Sequence, residues 1–306
     1  MTAVIGFDTS NYTTSAAWFD GDAGENRGKL LEVKPGELGL RQSDALFQHV
    51  KRLPEITAQL AETLSGRRIA AVGASTRPRA VEGSYMPCFL AGESQGQSLA
   101  NLMGVPFHRF SHQQGHLAAI LWSAGRMELL EQRFLAWHLS GGTTELLLVE
   151  PGLRGSRIGG TEDLSAGQLI DRTGQLLGLD FPAGKALDAL SAGAEASPFP
   201  VKVRDMGFSL SGIQNQVKSR RDKGAGDGET AAFALSTVCC AVKQATEQAL
   251  SRFGDLPVIC TGGVASNAML REHLAPLGAI FGPARYSTDN AMGIAVLTWY
   301  QEVSHG

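Results

Sequence analysis

A chain of 306 residues, 43% hydrophobic and 19% charged with 37 glycines, has ordinary globular composition and the length for two domains of about 150 residues each. Disorder and a collagen-like repeat are excluded. Twenty-seven Lys plus Arg against 30 Asp plus Glu leave a net charge of −3, so no global positive field advertises nucleic acid or a membrane surface, and any such partner must use local patches.

The apolar stretches fall short of the roughly 20 residues of a membrane-spanning helix, and Met1 to Phe7 lacks the basic start and apolar core of a signal peptide. A cytoplasmic protein with no membrane partner is expected. Cys88, Cys239, Cys240 and Cys260 show no CxxC spacing and read as small core residues of a reducing compartment. In chain order, Ala3 to Phe19 reads as an apolar strand, a polar turn at Asp8 to Tyr12 and a second strand. Gly21 to Gly28 and Pro35 to Gly39 are turn-rich. Ser43 stands as an N-cap before Leu46, Val50, Leu53, Ile56 and Leu60, an amphipathic helix with Pro54 as a point of bending. Ile69 to Ala74 reads as a buried strand, Gly92 to Met103 as helix, Pro106 to Phe110 as strand and Gln113 to Gly125 as helix, an alternation that argues for an α/β lobe.

A second start comes at Phe134, where FLAWHL, the turn SGGTT and ELLLVE form another strand hairpin. Helices follow at Ser165 to Leu177 and Lys185 to Ala192, then a loop-rich segment to Gly228. A long helix from Glu229 to Phe253, a strand at Pro257 to Thr261 and a closing helix at Asn290 to Glu302 complete the chain. The charge run Lys218, Arg220, Arg221, Asp222, Lys223 before GAGDG reads as a mobile solvated loop. Two lobes that each open with a hairpin and a small-residue turn suggest a duplicated α/β architecture with a ligand cleft. The expected division is residues 1–128, carrying the His pair, and 129–306, carrying the glycine-rich turns, with the last helix a candidate for return to the first lobe.

His112 and His116 stand four apart in SHQQGH at the start of a helix, so both imidazoles leave one face and either share a metal or cap and pack. Gln113 occupies the place where a zinc protease carries its general base, which disfavours that chemistry. Asp289 in YSTDN is the best oxygen donor for a third ligand. Ser140, Gly141, Gly142 and Thr143 either cradle phosphate with hydroxyls and peptide N–H groups or simply close a tight turn. TGGVASN, with Asn267, leads into a helix and presents the same two readings. Asp171 and Asp188 are helix acids able to accept sugar hydroxyls, or solvated residues.

Taken in order, IGFDTS, HQQGH, LSGGTT, GTEDLSAG with Asp171, LGLDFPAG, FSLSGIQ, GGVASNAMLR and STDNAMG resemble the tRNA threonylcarbamoyladenosine synthase family, called TsaD or Gcp in bacteria. The resemblance spans nearly the whole chain. It implies two duplicated actin/sugar-kinase-like lobes around a nucleotide cleft. His112, His116 and Asp289 would then hold one divalent metal, iron or zinc, while Ser140, Gly141, Gly142, Thr143, Asp171, Gly184, Asp188 and Asn267 would hold an adenylate substrate or ATP. It also implies an acyltransferase that moves a threonylcarbamoyl group from threonylcarbamoyl-AMP to N6 of the adenosine beside the anticodon of tRNA, with partner subunits. Arg77, Arg79, Lys202, Arg204, Lys218, Arg220 and Arg221 are candidates to meet tRNA phosphates.

The chain departs from the family pattern at several places. Asn11, Tyr12 and Thr13 follow the first turn where the family has Cys and two acids. Thr143 replaces His, Gln168 replaces the Glu of AGE, PAG replaces PGG, and Ser75 to Arg79 replace a GPG loop. Asp8 is the remaining acid near that turn, and it can substitute for the missing carboxylate if the turn points into the cleft, which the alternation of Ile5, Phe7 and Thr9 on one strand face allows. The alternative expectation is a divergent paralogue that binds metal and nucleotide as a regulatory or scaffold protein.

Overall fold

A computed structural model describes residues 1–10, 12–33, 40–287 and 289–303, and the chain divides into two compact units: residues 1–127 with 288–306, and 128–287. The expected turn at 35–39 and the departure at Asn11 lie outside the described residues.

The first unit is built on a five-stranded sheet, β1 (Thr2–Ser10), β2 (Thr13–Phe19), β3 (Gly24–Leu30), β4 (Arg68–Arg77) and β5 (Phe107–Ser111), in the order β3-β2-β1-β4-β5. The hairpins β1–β2 and β2–β3 are antiparallel, whereas β4 and β5 run parallel to β1. Parallel neighbours need crossover helices, and α1 (Gln42–Leu64) and α2 (Leu90–Met103) supply them. Strand alternation divides β1 between two faces. Ala3, Ile5 and Phe7 pack with Leu53, Ile56 and Leu60 of α1 and with Ala91 and Ala100 of α2. The even positions face the other way, toward α3 (His112–Ser123) and the last helix of the chain, α10 (Met292–Val303). A Cβ on Gly6 would stand 2.5 Å from the Ala295 nitrogen, so glycine is what lets α10 lie against β1. Gly115 and Gly293 do the same between α3 and α10: a Cβ on Gly293 would fall on the Gly115 carbonyl oxygen.

The second unit repeats this topology. Strands β6 (Phe134–Leu139), β7 (Thr144–Glu150) and β8 (Arg154–Thr161) form an antiparallel meander, and β10 (Val258–Thr261) and β11 (Ile280–Phe281) extend it in parallel on the far side of β6. Its two-residue strand β9 (Gly207–Phe208) gives the order β11-β10-β6-β7-β8-β9. Helices α4 (Ala166–Leu176), α5 (Gly184–Ser191), α6 (Ser211–Asp222) and α7 (Asp227–Phe253) pack with one another. Two short helices, α8 (Ala268–Leu274) and α9 (Ala284–Ser287), follow β10 and β11. Leu135, Trp137 and Leu139 join Phe233, Val238 and Val242 of α7 in the core, and the Trp137 indole donates to Thr246 Oγ1 at 2.9 Å.

Several expected elements need correction. Gly21 to Gly28 is not only turn, because β3 pairs along β2 from Phe19↔Gly24 to Thr13↔Leu30; its polar sequence suits an edge strand exposed to water. Strand β8 went unseen for the same reason, as RGSRIGGT carries no apolar alternation. Helix α1 begins at Gln42 with Arg41 as an N-cap that offers no side-chain bond, so Ser43 is not the cap. Its buried face runs through Ala45, His49, Arg52, Leu53, Ile56 and Leu60, leaving Val50 exposed. The charge run lies in helix, not loop: Lys218 to Asp222 close α6, and Arg220 and Arg221 pair with Glu229 and Asp227 of α7 at 2.8 and 2.7 Å. Of the cysteines, Cys88, Cys239 and Cys260 are buried and Cys240 is partly so.

Candidate functional site

In the first unit, Ser111 ends β5 and caps α3 in a reciprocal box. Gln114 N donates to Ser111 Oγ at 3.2 Å, and Ser111 N donates to Gln114 Oε1 at 2.9 Å. That cap fixes the helix start, so His112 and His116 leave one face a turn apart. The 115/293 glycine contact brings the N-terminal end of α10 onto the same face, and with it Asp289. His112 Nε2 and His116 Nε2 stand 2.9 Å apart, and Asp289 Oδ1 lies 3.2 Å from the second and 3.4 Å from the first. Two ligand atoms each about 2.1 Å from one ion, at angles of roughly 90–110°, stand about 3.0–3.4 Å apart. The spacing of the three donors fits a shared ion, and two imidazoles with one carboxylate suit iron or zinc while leaving positions open. They are the cluster of metal-type ligands found among the described residues.

The three groups also interact electrostatically. Burial opposes charge on His112, but the Asp8 and Asp289 carboxylates outweigh it and raise its pKa from 6.5 to about 10. Burial would raise Asp289, yet the two imidazoles hold its carboxyl well below the ordinary 3.8. In this charge cluster protons compete with any cation for the same three groups.

Sequence reasoning offered Asp8 as a substitute for the missing first-turn acids; the structure places it beneath the cluster, against His112 and Ser75. It is 1% exposed, with Oδ2 and Oδ1 at 2.9 and 3.2 Å from His112 Nδ1. Ser75 Oγ donates to Oδ1 in a short hydrogen bond, and Ser15 Oγ donates to the Asp8 carbonyl at 3.1 Å. Both clues were on the sequence: Asp8 falls on the strand face opposite Ile5 and Phe7, and Ser75 opens the segment that replaces a glycine loop. What neither reveals is their pairing across β1 and β4.

In the second unit the candidate residues are tied into the backbone of the turns and helix starts and, for Asp188 and Asn267, to each other. The turn between β6 and β7 is closed by Ser140 N donating to the Thr143 carbonyl at 2.8 Å and Thr143 N donating to Ser140 Oγ at 3.1 Å. Gly141 and Gly142 are exposed, and a Cβ on either would meet nothing within 4 Å. Their backbone lies open to approach. Beneath them Ser165 Oγ donates to the Gly141 carbonyl at 2.7 Å, and a Cβ on Gly167 would stand 2.5 Å from Gly141 Cα. Gln168, where the family has Glu, completes the capping box of α4 by accepting from Ser165 N at 3.2 Å. Asp171 Oδ1 accepts from Ala183 N at 2.9 Å, tying α4 to the residue before Gly184, and burial raises its carboxyl. Asp188 is more engaged than a solvated ribose acceptor would be. Asn267 Nδ2 donates to its Oδ1 at 2.8 Å and Ala268 N to its Oδ2 at 3.0 Å. Asn267 itself caps α8 by accepting from Leu270 N at 2.9 Å. Arg77, Arg79, Lys202, Arg204 and Lys218 are exposed.

Two α/β sheets of matching topology define the class by its fold, an actin/sugar-kinase-like one, and the first unit carries a His–His–Asp cluster with the spacing of metal ligands. Solved structures agree on the fold. Over 99% of both chains this one matches component A of the Acidaminococcus fermentans (R)-2-hydroxyglutaryl-CoA dehydratase, with a TM-score of 0.59 at 16% identity. A ROK family glucokinase from Streptomyces griseus matches over 97% of this chain and 99% of its own, with a TM-score of 0.53 at 13% identity.

The family model for tRNA N6-adenosine threonylcarbamoyltransferase matches residues 37–296. The enzyme of that name from Bordetella pertussis is 34% identical over 95% of this chain and 89% of its own length, and one from Thermus thermophilus is 32% identical over 82% and 77%. The chain belongs to the tRNA N6-adenosine threonylcarbamoyltransferase family, whose work is tRNA threonylcarbamoyl modification. No helix among the described residues is long and apolar enough to cross a membrane.

Proposed function

We propose that this chain transfers a threonylcarbamoyl group from threonylcarbamoyl-AMP to N6 of the adenosine next to the anticodon of tRNA, in the cytoplasm and with partner subunits, using one divalent metal, iron or zinc. The observation that carries the reading is the convergence of His112, His116 and Asp289 within 3.4 Å of one another in a member of this family. In the reaction the N6 amine attacks the carbamoyl carbon and gives up one proton to solvent, the bond from that carbon to the phosphate oxygen breaks, and AMP departs with the negative charge. An ion held by the three residues supplies Lewis acidity to substrate oxygens. The open Gly141–Gly142 backbone and the Ser140 and Thr143 hydroxyls take the phosphate of the adenylate. Asp171, its carboxyl next to Gly184, accepts ribose hydroxyls; Asp188 contributes by holding Asn267. The exposed Arg77, Arg79, Lys202, Arg204 and Lys218 are candidates to meet tRNA phosphates, and Arg220 and Arg221 pair with Glu229 and Asp227.

A second reading, a paralogue that binds metal and nucleotide without transfer, is favoured by one observation. Thr13 stands buried where the family has an acid, and Asp8 is turned inward onto Ser75 and His112. The test is incorporation of labelled threonine into tRNA in the presence of the enzymes that make the adenylate. The parent should be active, and His112→Ala with His116→Ala should abolish both activity and bound metal. No transfer by a parent that still binds metal and AMP selects the paralogue.

A further inference from the structure

The geometry points to Asp8 as a positioning residue that sets the tautomer of His112, so that Nε2 presents its lone pair to the ion held with His116 and Asp289. This rests on reading those three residues as ligands of one metal. An imidazole that has given up one proton to ligate an ion carries its remaining proton on the other nitrogen, and the hydrogen-bond partner of that nitrogen decides which one it is. The His112 Nδ1 faces a carboxylate at 2.9 Å, an acceptor without a proton to give. Nδ1 must therefore be the donor. The opposite tautomer would set two lone pairs face to face and put an N–H where the ion belongs. With the proton on Nδ1, the lone pair of Nε2 points toward His116 Nε2 at 2.9 Å and Asp289 Oδ1 at 3.4 Å.

Asp8 is held for this role from several sides. Ser75 Oγ donates to Oδ1, Ser15 Oγ donates to the backbone carbonyl, and the residue is 1% exposed, so its carboxylate cannot swing out to a substrate. Neighbouring Thr9 is fixed on the other face, where its hydroxyl donates to the Cys88 carbonyl at 3.1 Å and accepts from Gly92 N at 3.1 Å. The missing acids of the first turn are thus not replaced by Asp8. Its carboxylate acts on the metal through His112 and not on the transferred group.

Ser75 makes a sharp test available. In Asp8→Asn, with Ser75 Oγ keeping the donor role it has toward Asp8 Oδ1, the amide oxygen stays on Ser75, the amide N–H faces His112 Nδ1, and the ring is driven to the tautomer that cannot ligate through Nε2. In Asp8→Asn with Ser75→Ala that donor is gone, and the amide can turn its oxygen to Nδ1. Zinc and cobalt affinities of metal-stripped protein are measured by competition with a chromophoric chelator for the parent, both variants and His112→Ala. Outer carboxylate partners of ligating histidines are worth about 10–100-fold in affinity. The single variant should lose that much at unchanged stoichiometry, and the double variant should recover most of it. In the zinc-loaded parent, imidazole ¹⁵N–¹H spectra should show His112 bound through Nε2, with its Nδ1 protonated and hydrogen-bonded.

A single variant that binds zinc as the parent does, or a parent ring bound through Nδ1, overturns the positioning role and leaves the metal site standing. The spectrum reads the parent alone, so it decides the matter even if a variant fails to fold. His112→Ala binding as tightly as the parent overturns the metal reading itself.

Discussion

The two units place different kinds of candidate site on the same topology. In the first, the candidate site is made of side chains that face one another, His112, His116 and Asp289, with Asp8 and Ser75 behind them. In the second, it is made of backbone and empty space: a Ser-Gly-Gly-Thr turn whose glycines have nothing within 4 Å of a Cβ position. The opening hairpins show the contrast. Ser10 and Thr13 at the end of β1–β2 are buried, and beneath them Thr14 Oγ1 bonds the buried His49 Nδ1 at 2.8 Å. The β6–β7 turn is raised on Gly167 and left open. The first hairpin is packed with buried polar groups, whereas the second leaves its glycine backbone open to solvent.

The sharpest way to break the first arrangement is Gly293→Ala. The new methyl falls on the Gly115 carbonyl, so α10 must move off α3 and carry Asp289 from the histidines. Overpacking of this kind costs about 1–3 kcal/mol or more. Urea unfolding should show that loss, and zinc affinity should fall with it. Retained zinc affinity would show that Asp289 is positioned by its own loop and not by the helix crossing.

The corresponding change in the second unit is Gly167→Ala, expected to cost about 1–3 kcal/mol as the methyl pushes on the Ser140 carbonyl and Gly141. Gly142→Ala has open space and ordinary backbone, so its stability should stay within about 0.5 kcal/mol of the parent. Calorimetry with AMP should nonetheless show weaker binding, by about 1 kcal/mol or fivefold. Unchanged AMP affinity in Gly142→Ala would remove the turn as the phosphate cradle.

The last effect, spread over a range of pH, concerns packing under the first hairpin. Burial lowers the His49 pKa from 6.5 to about 4, against the opposing pull of Asp8. The unfolded chain takes up a proton near pH 6.5 while the folded one does not. The stability due to a neutral His49 is therefore complete above pH 6.5 and drains away as pH falls toward 4. The difference amounts to about 3 kcal/mol at most. Urea midpoints between pH 7 and 4 should fall more steeply in the parent than in His49→Gln; parallel slopes would show that His49 is protonated in place.

Much of this was legible in the sequence because it depends on local pattern. The i, i+4 spacing of His112 and His116 guarantees one helix face, SGGTT between apolar runs guarantees an open hairpin turn, and Asn267 before ALREHL reads as a cap, which it is. Even the family's set of motifs is a property of order along the chain. Polar edges were not legible: β3, β8 and α6 lack the apolar periodicity that marks an element, since each is recognised by what it lies against. The meeting of Asp289 with histidines more than 170 residues earlier was decided by the tertiary structure, through two glycines that let α10 close on α3. So was the partnership of Asp8 with Ser75 and His112. Spacing along a chain sets which face a side chain takes, but only packed backbones set the ångströms between faces, and a metal site is a matter of those ångströms.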